Sequence, residues 1–152
     1  MANICQYKGR IRGKKKACYA AFSGISAYDE KCVADTSGTD DDFLLEFRGD
    51  CKWRLDTYCD KVWEGKIPVE LSGYSIDELG NGSVVDFWYY GMNQLSKMMD
   101  VEIEVISWSG ESSFQAYSHY RSGKVLTEEM RALNRRNASS GKLAYSLSLT
   151  LD

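Results

Sequence analysis

One histidine in 152 residues is the first limit on what this chain can do. A Ser-His-Asp or Cys-His arrangement would have to use His119, and a histidine-rich metal site is excluded. No apolar run approaches the roughly 20 residues of a membrane helix. The five cysteines, at 5, 18, 32, 51 and 59, include no C-x-x-C pair, so the local spacing of a zinc ribbon or a redox pair is missing. Gly9, Gly13 and Lys14-Lys15-Lys16 do not compose the phosphate-cradling G-x-x-x-x-G-K-[ST] loop. Residues 1–8 lack an apolar signal core, so the expectation is a reducing, cytoplasmic setting with free thiols, no metal and no cofactor.

What is present suits one globular domain over residues 1–152. Hydrophobic residues make up 43%, aromatics 12%, and the formal charge is −3, so the chain can bury a core without staples. The charge is unevenly placed. Residues 1–16 carry Lys8, Arg10, Arg12, Lys14, Lys15 and Lys16 with no acid, while residues 29–50 carry eight acids against Lys31 and Arg48. Such bipolarity steers charged partners, although most charge runs only solvate a surface.

Periodicity gives the elements. Residues 3–12 alternate as a half-buried strand, with Tyr7, Gly9 and Ile11 on one side and Lys8, Arg10 and Arg12 on the other. Cys18, Ala21, Phe22 and Ile25 have helical spacing, which predicts a helix over 14–23 ended near Gly24. Strands at 28–36 and 43–48 flank a polar turn with Gly38 available for positive φ. A short helix is predicted over 51–63, with Asp50 as its cap. A loop-rich insertion is predicted at about 64–85, where Gly65, Pro68, Gly73, Gly80 and Gly82 fall. Residues 86–99 read as the strongest helix, followed by a hairpin whose strands carry Val101, Ile103 and Val105, then Phe114, Ala116, Ser118 and Tyr120. A short basic helix over 128–136 and an extra C-terminal strand over 143–150 complete the reading. The plan is α+β, with helices packed on one face of a mainly antiparallel sheet, and it suits a ferredoxin-like sandwich.

Three stretches add a resemblance: Met1-Ala2-Asn3-Ile4-Cys5 running into the first strand, Gly49-Asp50-Cys51-Lys52-Trp53, and residues 110–120 (GESSFQAYSHY) with Gly123 behind them. Together they resemble the YubB-type ferredoxin-like proteins carried by plasmids and phages. The resemblance spans roughly residues 1–125 and departs around 64–85 and after 125. It implies a ferredoxin-like fold in a mobile element of a bacterial host, and it brings no activity with it.

The remaining candidates are weighed on their own residues. Cys5, Cys18 and Cys59 read as packed core thiols. His119 reads as an exposed strand histidine, with catalysis as the alternative if Cys51 or Asp50 folds beside it. Glu102 and Glu104 share a strand face at a separation of roughly 7 Å. Such a pair suits glycoside chemistry, but alternating glutamates are ordinarily the wet side of a sheet. Lys8, Arg10 and Arg12 form a basic strand face that a single-stranded nucleic acid could use, although Tyr7 lies on the opposite side of that strand. The cluster Phe87-Trp88-Tyr89-Tyr90, spread around a helical turn, would put Trp88 or Tyr89 outside as an interface anchor, the alternative being that the 64–85 loop covers both. The balance favours a non-enzymatic protein that binds a host or element-encoded protein through Asp40, Asp41, Asp42, Glu46, Trp88 and Tyr89. Its most concrete form is an inhibitor of a host nuclease defence, in the manner of an anti-CRISPR protein meeting a CRISPR effector, because an acidic patch can occupy a site meant for phosphates.

Overall fold

The computed structural model describes residues 5–28, 32–51, 62–68, 84–109, 114–132 and 146–151. Among them, β1 (Cys5–Gly13), α1 (Lys15–Tyr28), β2 (Val33–Gly38) and β3 (Phe43–Cys51) come first. They are followed by β4 (Val62–Pro68), β5 (Val84–Tyr90), α2 (Gly91–Met99), β6 (Glu102–Ser109), β7 (Phe114–Arg121) and β8 (Lys124–Ala132). The architecture is α+β. A six-stranded antiparallel sheet has the order β2-β3-β1-β6-β7-β8, and β4 and β5 pair separately. Among the described residues no helix is long and apolar enough to cross a membrane.

The alternation of β1 sets the sheet's two faces. Tyr7, Gly9 and Ile11 stand opposite Gly49, Phe47 and Leu45 of β3 and Ser107, Val105 and Ile103 of β6. Side chains of this face meet Cys18, Ala21 and Ile25 of α1 and Met92, Leu95 and Met99 of α2 in one buried cluster. The core therefore lies between one face of the sheet and both helices. Burying a side chain of this size contributes roughly 1.5–3 kcal/mol. That is enough for α1 to run through Gly24 to Tyr28 instead of ending at 23, because Ile25 is fully buried one turn beyond Ala21.

The helix ends tie the connections to the sheet. The Lys15 amide donates to the Asp40 carbonyl at 2.9 Å, which fixes the start of α1 on the β2–β3 turn. At the other helix, the Val101 amide reaches the Ser96 carbonyl (3.0 Å) and the Asp100 amide reaches that of Lys97 (3.4 Å), with Asp100 at φ 53°. This is a Schellman stop with aspartate at the left-handed position.

Five further expectations are corrected. The helix expected over 86–99 is helical only from Gly91, because 84–90 pair with 62–68 as strands. The same pairing gives strand at both borders of the expected loop insertion, whose middle, 69–83, lies outside the described residues. Asp50 sits inside β3 opposite Gln6 and Cys51 after it is still strand, so no helix starts at 51; residues 52–61 of the helix expected there lie outside the description, and Val62 and Trp63 belong to β4. The basic helix expected over 128–136 is instead strand as far as Ala132, and residues 133–136 lie outside the description. Ser122 and Gly123 both take positive φ (52° and 83°) in a two-residue turn, which sends the chain straight back along β7, and the ladder outweighs local helix propensity. Residues 146–151 form no strand, which corrects that part of the C-terminal strand expected over 143–150; residues 143–145 lie outside the description.

Candidate functional site: the open face of the sheet

The second face of the sheet carries the polar halves of the same strands: Lys8, Arg10 and Arg12 on β1, Glu46 on β3, Glu102 and Glu104 on β6, and Tyr117 and His119 on β7. Register places Arg10 between Glu46 and Glu104, and Glu104 opposite His119. The cations and acids therefore engage each other. Arg10 Nε lies 3.1 Å from Glu46 Oε1. Arg12 grips Asp42 with two bonds, Nε to Oδ1 at 2.9 Å and Nη2 to Oδ2 at 3.4 Å. Arg10 and Arg12, singled out as phosphate ligands, are thus the partners of Glu46 and Asp42, singled out as protein ligands.

His119 is half-buried, with Nε2 2.7 Å from Glu102 Oε2, which corrects its reading as an exposed strand histidine. Glu104 departs further from expectation. It is fully buried, because the C-terminal strap 146–151 crosses the open face at this point. Oε1 accepts the Ser148 amide at 2.7 Å, and Oε2 accepts the Ser148 hydroxyl at 2.6 Å and the Tyr117 hydroxyl at 2.8 Å. The Leu149 amide is shared between the two oxygens at 3.3 and 3.2 Å. In return Arg10 Nη1 donates to the Leu149 carbonyl at 2.8 Å. A buried carboxylate costs several kcal/mol unless donors saturate it, and here four donor groups do so. Leu44, Ile106 and Leu149 are buried but stand outside the helix-side cluster, so a small second apolar layer lies on this face. Leu151 continues the crossing: a Cβ on Gly38 would stand 3.1 Å from its Cδ1.

A cleft of about 470 Å³ lies at the rim, lined by Lys14, Lys15, Lys16, Ala17, Tyr19, Asp40 and Asp41. Tyr19 is 45% exposed, and its ring packs 5.5 Å from that of Phe43. Lys15 Nζ lies 3.8 Å from Asp40 Oδ1, with both side chains largely in solvent. The lysines and the aspartates lie about 25 positions apart in the sequence, and α1 brings them together by starting on the β2–β3 turn. Trp88 and Tyr89 belong to strand β5 and not to a helix, which removes the helical reason for expecting one of them outside, and their side chains lie outside the description.

Cys18 is a buried thiol and Cys32 a half-buried one, neither in a disulfide. Burial, reinforced by the charge of Asp42, pushes the Cys18 thiol up to about 12, so it is a packing group and not a nucleophile. Among the described residues no group of three or more His, Cys, Asp or Glu could hold a metal ion. No family model matches the chain, and neither the curated proteins nor the solved structures contain a match.

Proposed function

We propose that this chain is a non-enzymatic binding protein that docks a protein partner at the rim cleft. The observation that carries the reading is the internal pairing of Arg10 with Glu46 and Arg12 with Asp42. That pairing leaves Asp40, Asp41 and the three lysines as charges in solvent, gathered around the half-exposed Tyr19. An aromatic anchor with charges at its rim is the usual make-up of an interface hot spot. Pairing of the β1 arginines weighs against the alternative of a single-stranded nucleic acid on that strand, since phosphates would have to displace two carboxylates first.

A ferredoxin-like reading is supported by the order β2-β3-β1-β6 with α1 and α2 as its two crossovers, and the YubB-type setting rests on the sequence resemblance alone. In that reading β4 and β5 are an insertion and β7 and β8 extend one edge. The mobile-element setting gives the function its most concrete form, an inhibitor of a host nuclease such as a CRISPR effector in the bacterial cytoplasm. The test is capture from host lysate with the unmodified chain and with Tyr19→Ala/Asp40→Lys/Asp41→Lys in parallel. The expected result is one host protein retained by the first and lost by the second. Retention of chaperones alone, or equal retention by both, overturns the reading.

A further inference from the structure

We infer that the open face of the sheet is a binding site for an extended peptide segment of a partner, held closed in this chain by its own strap. The occupant's chemistry is written in the contacts the strap makes. Glu104 accepts only, so the segment must bring donors, and residue 148 supplies two, its amide and its hydroxyl. The next residue gives its amide to the same carboxylate and its carbonyl to Arg10. Its side chain is buried on the face that holds Leu44 and Ile106. The ligand is therefore an extended segment with serine or threonine followed by a leucine-like residue.

Two features make the strap exchangeable. Residues 146–151 join no strand ladder, and the backbone bonds that hold residues 148 and 149 run to the side chains of Glu104 and Arg10. Ser146, Ser148 and Thr150 are exposed while Leu149 alone is buried, so one side chain anchors the crossing. When the strap lifts, Glu104 meets water on an open face while Tyr117 still donates to it, so the carboxylate is not stranded as a core charge would be. An incoming segment with the same pattern restores every bond. This site is separate from the rim cleft and stands or falls independently of it.

The experiment uses the full chain and a fluorescein-labelled peptide, Ser-Leu-Ser-Leu-Thr-Leu, followed by anisotropy. Leu149→Gly weakens the strap and leaves Glu104, Arg10 and Tyr117 in place. It should bind the peptide at least tenfold more tightly than the unmodified chain does. Replacing the second serine of the peptide by alanine, which leaves the protein untouched, should cost at least tenfold. Should Leu149→Gly melt without cooperativity, Ser148→Ala in the full chain takes its place with the same expectations. Equal binding by strap-weakened and unmodified chains, or indifference to the peptide's serine, overturns the inference. A dimer of the unmodified chain that the peptide dissociates assigns the groove to a second copy's strap and overturns the partner-peptide reading.

Discussion

Gly9 faces the helix-side core where β1 stands close to both Phe47 and the β6 backbone, and Gly9→Ala should register that approach. A Cβ there would stand 2.3 Å from Phe47 Cζ, 2.8 Å from Phe47 Cε1 and 2.5 Å from the carbonyl oxygen of Glu104. Two of these contacts belong to one ring, and that ring is only 1% exposed with Tyr7 tilted against it at 6.1 Å. It cannot swing without displacing Tyr7. The third contact is backbone of β6, so relief there means parting β1 from β6. Overpacking of this kind costs about 1–3 kcal/mol, more when backbone must move, and the stiffer unfolded chain returns about 0.4–1 kcal/mol.

Taken at the upper end of that cost, because backbone must move, the net expectation is a loss of about 2–2.6 kcal/mol, or a midpoint lowered by roughly 4–10 °C for a chain of this size. Urea and thermal unfolding followed by tryptophan fluorescence and circular dichroism give the number. A double-mutant cycle with Phe47→Leu, which removes the outer ring atoms, should recover about 1 kcal/mol or more relative to the sum of the single changes. Additivity within about 0.3–0.5 kcal/mol would place the cost elsewhere than the ring. A Gly9→Ala chain as stable as the original would refute the close approach itself.

Ser148→Ala removes one charge-assisted bond to Glu104 and should cost about 1.5–3 kcal/mol. It should show as faster amide exchange at Leu149 while Ile11 is unchanged; an unchanged Leu149 amide would contradict the anchoring described. Single-stranded RNA binding should be undetectable at physiological salt, and a tight complex that weakens with salt at about 0.7 counterion per phosphate and vanishes on replacing Lys8, Arg10 and Arg12 would reverse that assignment. Asp40→Lys/Asp41→Lys should slow partner association while moving stability by no more than about 0.5 kcal/mol, since both carboxylates are exposed. Because folding raises the Cys18 thiol from 9.0 to about 12, the native state holds that proton more tightly. Its contribution is intact below pH 9 and is lost as pH rises towards 12; urea midpoints of Cys18→Ala should fall less steeply across that window, and parallel profiles would be the contrary result.

How far the sequence discloses this fold depends on the range of the forces involved. β1, the first half of α1 and the β6–β7 hairpin are legible because each carries its own alternation or helical spacing, and the buried residues are those the pattern nominates: Tyr7, Ile11, Cys18, Ala21, Ile25, Ile103 and Tyr120. Long-range pairing is illegible by the same method. Residues 84–90 carry aromatics at spacings that fit a helix, and only their partnership with 62–68 makes them a strand. At β8 the local composition is that of a helix start, and the geometry of the Ser122-Gly123 turn decides against it.

The charges make the same point about the site. Lys8, Arg10 and Arg12 alternate, as do Glu102 and Glu104, so their common face is predictable. That Arg12 meets Asp42 across 30 positions requires the β1–β3 register, which no local pattern supplies. Once that register is known, two candidate interfaces cancel, and what remains in solvent moves to the rim. Glu104 is the stronger case. Alternation assigns it to a wet face, yet the strap that dries it comes from 44 positions further on, and the strap carries an alternation of its own that reads as a strand. The signal was present in the alternation of Ser146, Ser148 and Thr150 with Leu147, Leu149 and Leu151, which marks a segment with one apolar side. Only a partner with acceptors to spare could hold such a segment without a ladder. Glu104, on the face that also holds Leu44 and Ile106, is that partner: its two oxygens take up the Ser148 and Leu149 donors, and that saturation offsets the cost of burying the charge.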